Sequence, residues 1–417
     1  MKQIWLTIFA SFGSKIYIGI LQFLTLVITA RVLGPEGRGQ IATIIAWSTL
    51  LAAVFGLSLH QVSIYKVTSI KDEGIVKDLF SSLFFLSFIF STVAIIVYLY
   101  IYLFTGNKAF IAIPDNLFIL GLMLVPLMIW HSYSSHLLIA TDKLVYQIKS
   151  DVIGRTAGFI IMLVTLYWLN FGIYSPVIGI LIWFAISISI ALFILRPYVN
   201  FKLGSSLNNV KDLIYSGVKL HINTIGSLVL MSLDTIVIGH YMDTTDVGIY
   251  QAASQMIFSL LILPAAVTSV LFSRISQDGV VTTWSQQRKI IPYIMLFILT
   301  IAIFLYLLSD TLFIFLFGSE FLESIEVFNI LLLAMVGMSF SQLMVSQWIG
   351  RGLFIQAGII TVSIAACNLS LNIIYIPVYG ITAAAWTTVA SFTISIITNF
   401  IFLYYIEKQW HRRSAHE

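Results

Sequence analysis

Residues 213–250 read LIYSGVKLHINTIGSLVLMSLDTIVIGHYMDTTDVGIY. Positions 213–239 form one mostly apolar run, longer than the roughly 20 residues a helix needs to cross a bilayer. Ser216, Lys219, Asn223, Ser227 and Asp234 interrupt it. At 100° per residue they fall within an arc of about 80° on a helix. The other faces are Leu, Ile and Val. A Lys or Asp at mid-helix costs about 2.5–3.5 kcal/mol on insertion scales, so a stripe of this kind asks for a wet space or a partner. The run then gives way to a short turn ending in Val247-Gly248-Ile249-Tyr250.

The rest of the chain resembles this run. Of 417 residues, 59% are apolar and 10% are charged, with a mean hydropathy of +0.99. Soluble proteins carry about 25% charged residues. A water-soluble fold of this length lacks the interior to hide so much apolar surface. Composition therefore excludes a soluble globular protein, a disordered chain and a disulfide scaffold. The net charge of +4 is too small and scattered for a nucleic-acid binder. The single cysteine, Cys367, lies in an apolar run and fits no zinc or redox spacing.

Twelve stretches are long and apolar enough to span, near 10–31, 41–65, 79–104, 116–139, 147–169, 173–195, 213–239, 248–273, 290–317, 326–349, 354–377 and 381–406. The gaps are short and leave no room for a soluble domain. The N-terminal apolar pattern runs into span 1 without a cleavage motif, so it is expected to be retained. With both termini on one side, that side collects nineteen Lys and Arg, and the other holds only Arg31, Arg38 and Lys108. The positive-inside rule then puts both termini in the cytoplasm.

The halves resemble each other at an offset of 208 or 209 residues. Ala30-Arg31-Val32-Leu33-Gly34-Pro35-Glu36-Gly37-Arg38-Gly39 leads to Gly39 as the turn after span 7 leads to Gly248. Phe171-Gly172-Ile173 falls on Tyr379-Gly380-Ile381, and Phe184-Ala185-Ile186-Ser187-Ile188 on Phe392-Thr393-Ile394-Ser395-Ile396. Six spans per half is even, so the repeats run parallel about an axis along the membrane normal. That is a transporter arrangement with a path between the halves. The expectation is an all-α membrane protein of two six-helix bundles, 1–200 and 201–417.

Span 1 carries its own stripe, Ser11, Lys15, Gln22 and Thr29, within about 40°. The repeat would turn both stripes to a common cavity with cations near its cytoplasmic end. Lys15 and Lys219 could instead snorkel to the headgroups. Asp234 has a short stem and is expected to gate, or to bond a neighbouring helix. Arg155 has Asp151 at helical i, i+4 spacing, so a stabilising pair and a substrate contact both remain open. His131 and His136 lack metal-ligand spacing, and a neutral, hydrogen-bonded His221 is expected. The acidic group Glu320, Glu323 and Glu326 reads as a solvated loop. No P-loop, dinucleotide fingerprint or nucleophile elbow is present. The expectation is a transporter rather than an enzyme, without a cofactor or metal centre. The coupling ion, H+ or Na+, stays open.

Three stretches carry a resemblance to a known family. The Ala30–Gly39 segment resembles the loop after span 1 in bacterial polysaccharide exporters. Asn368-Leu369-Ser370-Leu371, then Ile376-Pro377-Val378-Tyr379-Gly380-Ile381-Thr382-Ala383-Ala384-Ala385-Trp386-Thr387, resembles their signature joining spans 11 and 12. Thr382 stands where that signature has glycine. Asp234 followed by Val247-Gly248-Ile249-Tyr250 resembles the start of their second half. The likeness covers the whole chain. It is to O-antigen and capsular polysaccharide flippases, within the multidrug/oligosaccharidyl-lipid/polysaccharide exporter superfamily.

The resemblance implies two six-helix bundles in a V that alternate in access. It also implies an inner-membrane protein of lipopolysaccharide or capsule assembly. Such a protein moves an undecaprenyl-pyrophosphate-linked oligosaccharide from the cytoplasmic to the periplasmic leaflet. Membrane lipid and other polysaccharide-assembly proteins are the implied partners, and nucleic acid is not. Arg31, Gly34, Pro35, Gly39, Gly248, Asn368, Pro377 and Gly380 are its motif residues here. Lys15, Gln22, Arg155, Lys219, Asn223, Ser227 and Asp234 are the cavity candidates. A cation-coupled drug exporter, a membrane glycosyltransferase or polymerase, and a flippase for lipid-linked peptidoglycan precursor are the competing readings.

Overall fold

The computed structural model describes residues 2–70, 73–104, 108–199 and 207–414, and their side chains except at 2–11, 68–70, 73, 108–109, 207–209, 222–223, 227–231, 273, 276, 406 and 409–414. Among the described residues there is helix and no strand. In chain order the helices are α1 (Lys2–Phe55), α2 (Leu59–Ile70), α3 (Glu73–Phe104), the single turn α4 (Lys108–Ile111), α5 (Asp115–Ala140), α6 (Leu144–Tyr167) and α7 (Tyr174–Leu195). They continue as α8 (Leu207–Tyr241), α9 (Thr244–Leu260), α10 (Ile262–Asp278), α11 (Val280–Leu316), α12 (Glu323–Gly350) and α13 (Phe354–Ser414).

Nine stretches among the described residues are long and apolar enough to cross a membrane. Two are double-length, Phe12–Phe55 at 44 residues and Phe354–Tyr405 at 52. Each is broken by a glycine in the left-handed region, Gly34 (φ 67°) in α1 and Gly380 (φ 69°) in α13. An L side chain there would cost roughly 1–2 kcal/mol, so these glycines let the chain turn back without a loop. Dividing both helices and adding the 35-residue α8 recovers the twelve spans.

Two spans depart from the expected continuous helix. Span 2 breaks between α1 and α2, where Leu57 (φ 43°) and Ser58 (φ 50°) are both left-handed. Span 8 breaks at Leu261, between α9 and α10. Pro264 has no N–H to offer the carbonyl four residues back, which weakens the helix there.

The chain divides into two compact units, Met1–Leu228 with Gly239–Gly248, and Val229–Ile238 with Ile249–Glu417. The first unit has a core of Ile41, Ile44, Phe80, Tyr98, Leu117, Leu124, Tyr133 and Val177. In the second, Trp284, Ile291, Phe340, Met344 and Phe402 pack together. The outer faces remain apolar. Phe88 on α3 is 74% exposed and Phe315 on α11 is 73% exposed. Such surfaces face acyl chains, and the protein is a multi-pass membrane protein.

The repeat is visible in local geometry. Gly172, which the 208-residue offset places on Gly380, is also left-handed (φ 53°). Within the first unit, the turn at Pro35–Gly39 lies against the turn at Thr244–Gly248. A Cβ on Gly39 would sit 1.6 Å from the Thr244 carbonyl oxygen, and one on Gly248 would sit 1.9 Å from the Pro35 carbonyl oxygen. Gly39 pairs with Gly248, and Pro35 with Thr244, at the same offset of 209. The contact is reciprocal, as a local two-fold axis requires, and only glycine permits so close an approach of two backbones.

Candidate functional site

Each unit holds a cluster of polar side chains from several helices. In the second unit it is built on Asp234, which lies inside α8 and is 8% exposed. Asp234 Oδ2 accepts hydrogen bonds from Tyr250 Oη on α9 at 2.6 Å and from Thr388 Oγ1 on α13 at 3.1 Å. Its Oδ1 accepts from Asn372 Nδ2 at 2.6 Å. Asn372 Nδ2 also donates to Asn368 Oδ1 at 3.1 Å, and Asn372 Oδ1 accepts from Thr387 Oγ1. Gly380 brings Asn372 and Thr387–Thr388 to the same carboxylate, because the chain reverses there between the two spans of α13. Three donors replace the water that a carboxylate loses on burial. Beside it lies a cavity of about 20 Å³, lined by Asp234, Tyr250, Ser254 and Thr388 on its polar side and by Leu331 and Met338. That volume admits one water-sized species.

The first unit holds a basic and imidazole-rich cluster. Gln147, Asp151 and Arg155 follow one another at i, i+4 spacing on α6, so they share a face. Asp151 Oδ1 lies 3.0 Å from His131 Nε2 on α5, and Oδ2 accepts from Gln147 Nε2 at 2.7 Å. Of the two readings left open for Arg155, the structure shows an electrostatic interaction with Asp151 one helical turn away, without a salt bridge between them. Arg155 instead lies flat on Trp183 of α7, with its guanidinium carbon 3.5 Å from the ring centre. Small residues make this stacking possible. A Cβ on Gly154 would meet the Trp183 carbonyl at 2.7 Å, and one on Gly158 the Gly179 carbonyl at 2.3 Å. Nearby, Tyr17 Oη on α1 is 2.9 Å from Thr156 Oγ1. The His60 and His136 rings are 4.3 Å apart, and His221 Nδ1 is 3.0 Å from Ser58 Oγ.

Of the other candidates, Lys15, Gln22 and Lys219 are exposed, and Lys219 Nζ lies 4.2 Å over the Tyr215 ring. The side chains of Asn223, Ser227 and Ser11 lie outside the described residues. Thr29 does not continue the span 1 stripe. It is fully buried, and its hydroxyl donates to the Thr25 carbonyl at 2.6 Å. Helical angle alone could not tell a wet face from a packed one. Among the motif residues, Arg31 is exposed, Asn368 is 2% exposed beside Asn372, and Pro377 lies within α13 ahead of Gly380. Glu320, Glu323 and Glu326 are exposed. Among the described residues no three His, Cys, Asp or Glu side chains converge as a metal site.

Sequence reading missed Tyr250, Asn372, Thr388, Trp183 and His131 as cluster members. Asn368 and Asn372 at i, i+4 in an apolar span were a legible signal, since amides in lipid also need partners. Trp183 gave none.

The profile of the family described as "Polysaccharide biosynthesis protein" matches residues 4–279. The chain belongs to this family. No match is found among curated proteins. Among solved structures, an inward-facing multidrug resistance MATE family transporter of the MOP superfamily is similar over 94% of this chain and 95% of its own, at 17% identity and a TM-score of 0.74. The lipid II flippase MurJ, in an inward closed conformation, matches over 94% of this chain and 86% of its own, at 19% identity and a TM-score of 0.72. A MOP superfamily transporter from Pyrococcus furiosus covers 97% and 95%, at 15% identity and a TM-score of 0.66. These likenesses show the fold, that of the multidrug/oligosaccharidyl-lipid/polysaccharide exporters, and bear out the expected fold class and resemblance.

Proposed function

We propose that this member of the polysaccharide biosynthesis family is a flippase. It moves an undecaprenyl-pyrophosphate-linked oligosaccharide from the cytoplasmic to the periplasmic leaflet of the inner membrane, for O-antigen or capsule assembly. Membership of the family carries this reading, and a fold shared with a protein described as a lipid II flippase supports it. The nineteen-to-three division of Lys and Arg supports termini in the cytoplasm. The halves 1–200 and 201–417 act as the two moving bodies. Lys15, Lys219 and Arg155 attract the diphosphate and any acidic sugar, and Gln22, Asn223 and Ser227 hydrate the sugars. The lipid tail stays in the bilayer. No covalent bond is made or broken. Other polysaccharide-assembly proteins supply the substrate and take the product.

Asp234 takes up the coupling cation, H+ or Na+. It lies on α8 beside a cavity of about 20 Å³ and is held by groups from α9 and α13. Changing its charge alters what those three helices share.

The test is complementation of a flippase-deficient strain, with surface polysaccharide measured. The wild-type chain should restore it, and Lys15→Ala with Lys219→Ala should reduce it. Wild-type surface polysaccharide from the double variant would remove the cationic path. Cation-dependent efflux of dyes by the wild-type chain, without complementation, would favour a drug exporter.

A further inference from the structure

The bend inside span 2 is held by other helices. Leu57 (φ 43°) and Ser58 (φ 50°) stand in the left-handed region. Every other left-handed position among the described residues is Gly, Asn or Asp, the types that tolerate it. For leucine such backbone is strained, and it persists only where its surroundings impose it. Ser58 is 1% exposed. Its Oγ donates to Thr224 Oγ1 on α8 at 2.9 Å, so it accepts from His221 Nδ1, which lies 3.0 Å away. In a continuous helix Ser58 N–H would donate to the Val54 carbonyl. Here the His221 ring interacts with that carbonyl. Tyr133 Oη on α5 donates to the Gly56 carbonyl at 2.9 Å. Gly217, His221 and Thr224 are spaced i, i+4, i+7 and share one face of α8. A Cβ on Gly217 would sit 2.7 Å from the Leu57 carbonyl oxygen, so that face lies directly on the bend. All of these residues belong to the first unit.

We propose that this bend is a latch between two shapes of the first unit, held by α8 through Ser58. When His221 and Thr224 let go, Leu57 and Ser58 fall back to right-handed helix and α1 runs on into α2. The released shape sheds the strain and returns Leu57 N–H and Ser58 N–H to the carbonyls of Ala53 and Val54. The latched shape keeps α2 on α5, where the His60 and His136 rings are 4.3 Å apart. Each shape gives up what the other gains, as a two-state element requires. The second half shows the alternative backbone. An offset of 208 places Leu57 and Ser58 on Ala265 and Ala266, which lie within α10. The break of span 8 comes earlier, at Leu261, and is right-handed (φ −70°). A permanent bend is better served by glycine, as the turns at Gly34 and Gly380 are. The latch goes beyond the flippase reading and does not depend on it.

Spin labels on Tyr65→Cys in α2 and Val145→Cys in α6, in a Cys367→Ser background, report whether α2 moves. Both positions are exposed. The purified full-length protein in lipid nanodiscs should give one main distance when span 2 is otherwise unchanged. Ser58→Ala removes the hydroxyl that α8 grips, and should raise the share of a second distance about fivefold. Thr224→Val removes one of the two grips and should raise it less. Leu57→Gly removes the strain that drives release, so adding it to Ser58→Ala should restore the single distance. Hydrogen exchange gives an independent reading. The amides of residues 57 and 58 should exchange more slowly in Ser58→Ala, because released they join the helix ladder.

A single, unchanged distance in Ser58→Ala overturns the latch. So does a second distance that Leu57→Gly leaves in place, since strain is then not what drives it. Faster exchange at residues 57 and 58 in Ser58→Ala would mean local unfolding rather than a second shape, and overturns it too. Should Ser58→Ala not fold, Thr224→Val with and without Leu57→Gly carries the same test, with the same outcomes. No substrate is used, so failure of the latch and failure of the flippase reading are told apart.

Discussion

At the scale of single residues, burial separates charges that hold structure from charges that contribute little to it. Asp234 is the first kind as well as a candidate for coupling. Asp234→Ala would leave the Tyr250 hydroxyl without its acceptor and confine Asn372 and Thr388 to their other acceptors, Asn368 Oδ1 and the Ala384 carbonyl, and an unsatisfied buried group costs about 1–3 kcal/mol. A lowered melting temperature in detergent is expected, larger than for Thr388→Ala, which removes one donor of three. Asp234→Asn keeps the shape and one acceptor oxygen, so the loss of stability should be smaller while export falls. Unchanged export by Asp234→Asn would end the coupling role. Arg288 and Glu407 are the contrast. Their side chains are 35% and 31% exposed at a separation of 3.2 Å. Arg288→Gln should move stability by no more than about 0.5 kcal/mol in the same melt, as for other partly exposed ion pairs.

At the scale of helices, close backbone contacts decide which side chains meet. Gly39→Ala or Gly248→Ala would drive a methyl group into a facing carbonyl, 1.6 or 1.9 Å away. The turns at Pro35–Gly39 and Thr244–Gly248 must then separate. The expected result is loss of export together with a lower melting temperature. Gly13→Ala is the matched control, since nothing lies within 4 Å of its new Cβ and helix propensity favours alanine by about 1 kcal/mol. If Gly13→Ala and Gly39→Ala behave alike, the turn contact is not needed. The α6–α7 contact makes the same point, because Gly158→Leu would push the helices apart at the Gly179 carbonyl and lift Trp183 from Arg155.

At the scale of the whole molecule, the question is orientation. In a Cys367→Ser background, Asp278→Cys and Glu320→Cys place single thiols at exposed positions before and after the main span of α11. A membrane-impermeant maleimide should label Glu320→Cys in intact cells, and Asp278→Cys only after permeabilisation. The opposite pattern would invert the topology. Under the proposed flippase function the orientation fixes the direction of transport from the cytoplasmic to the periplasmic leaflet.

Composition and spacing determined much by themselves. Apolar runs longer than about 20 residues leave helix as the only spanning choice, because backbone groups in lipid must bond within their own segment. Span count, charge asymmetry and the 208–209 offset were therefore legible without coordinates, and so was the oddity of Asp234. The partners were not. Asp234 meets Asn372 across 138 residues, and His131 reaches Asp151 by bringing two helices together. The i, i+4 spacing of Asp151 and Arg155 left a pair open, but it gave no sign that Asp151 takes its hydrogen bonds from His131 and Gln147. Periodicity assigns a side chain to a face of its own helix, but which face it meets depends on the packing of the others. That is why Asp234 could be singled out from 213–250 as a charge out of place, while the partners of each carboxylate and the stacking of Arg155 on Trp183 were decided only by tertiary structure.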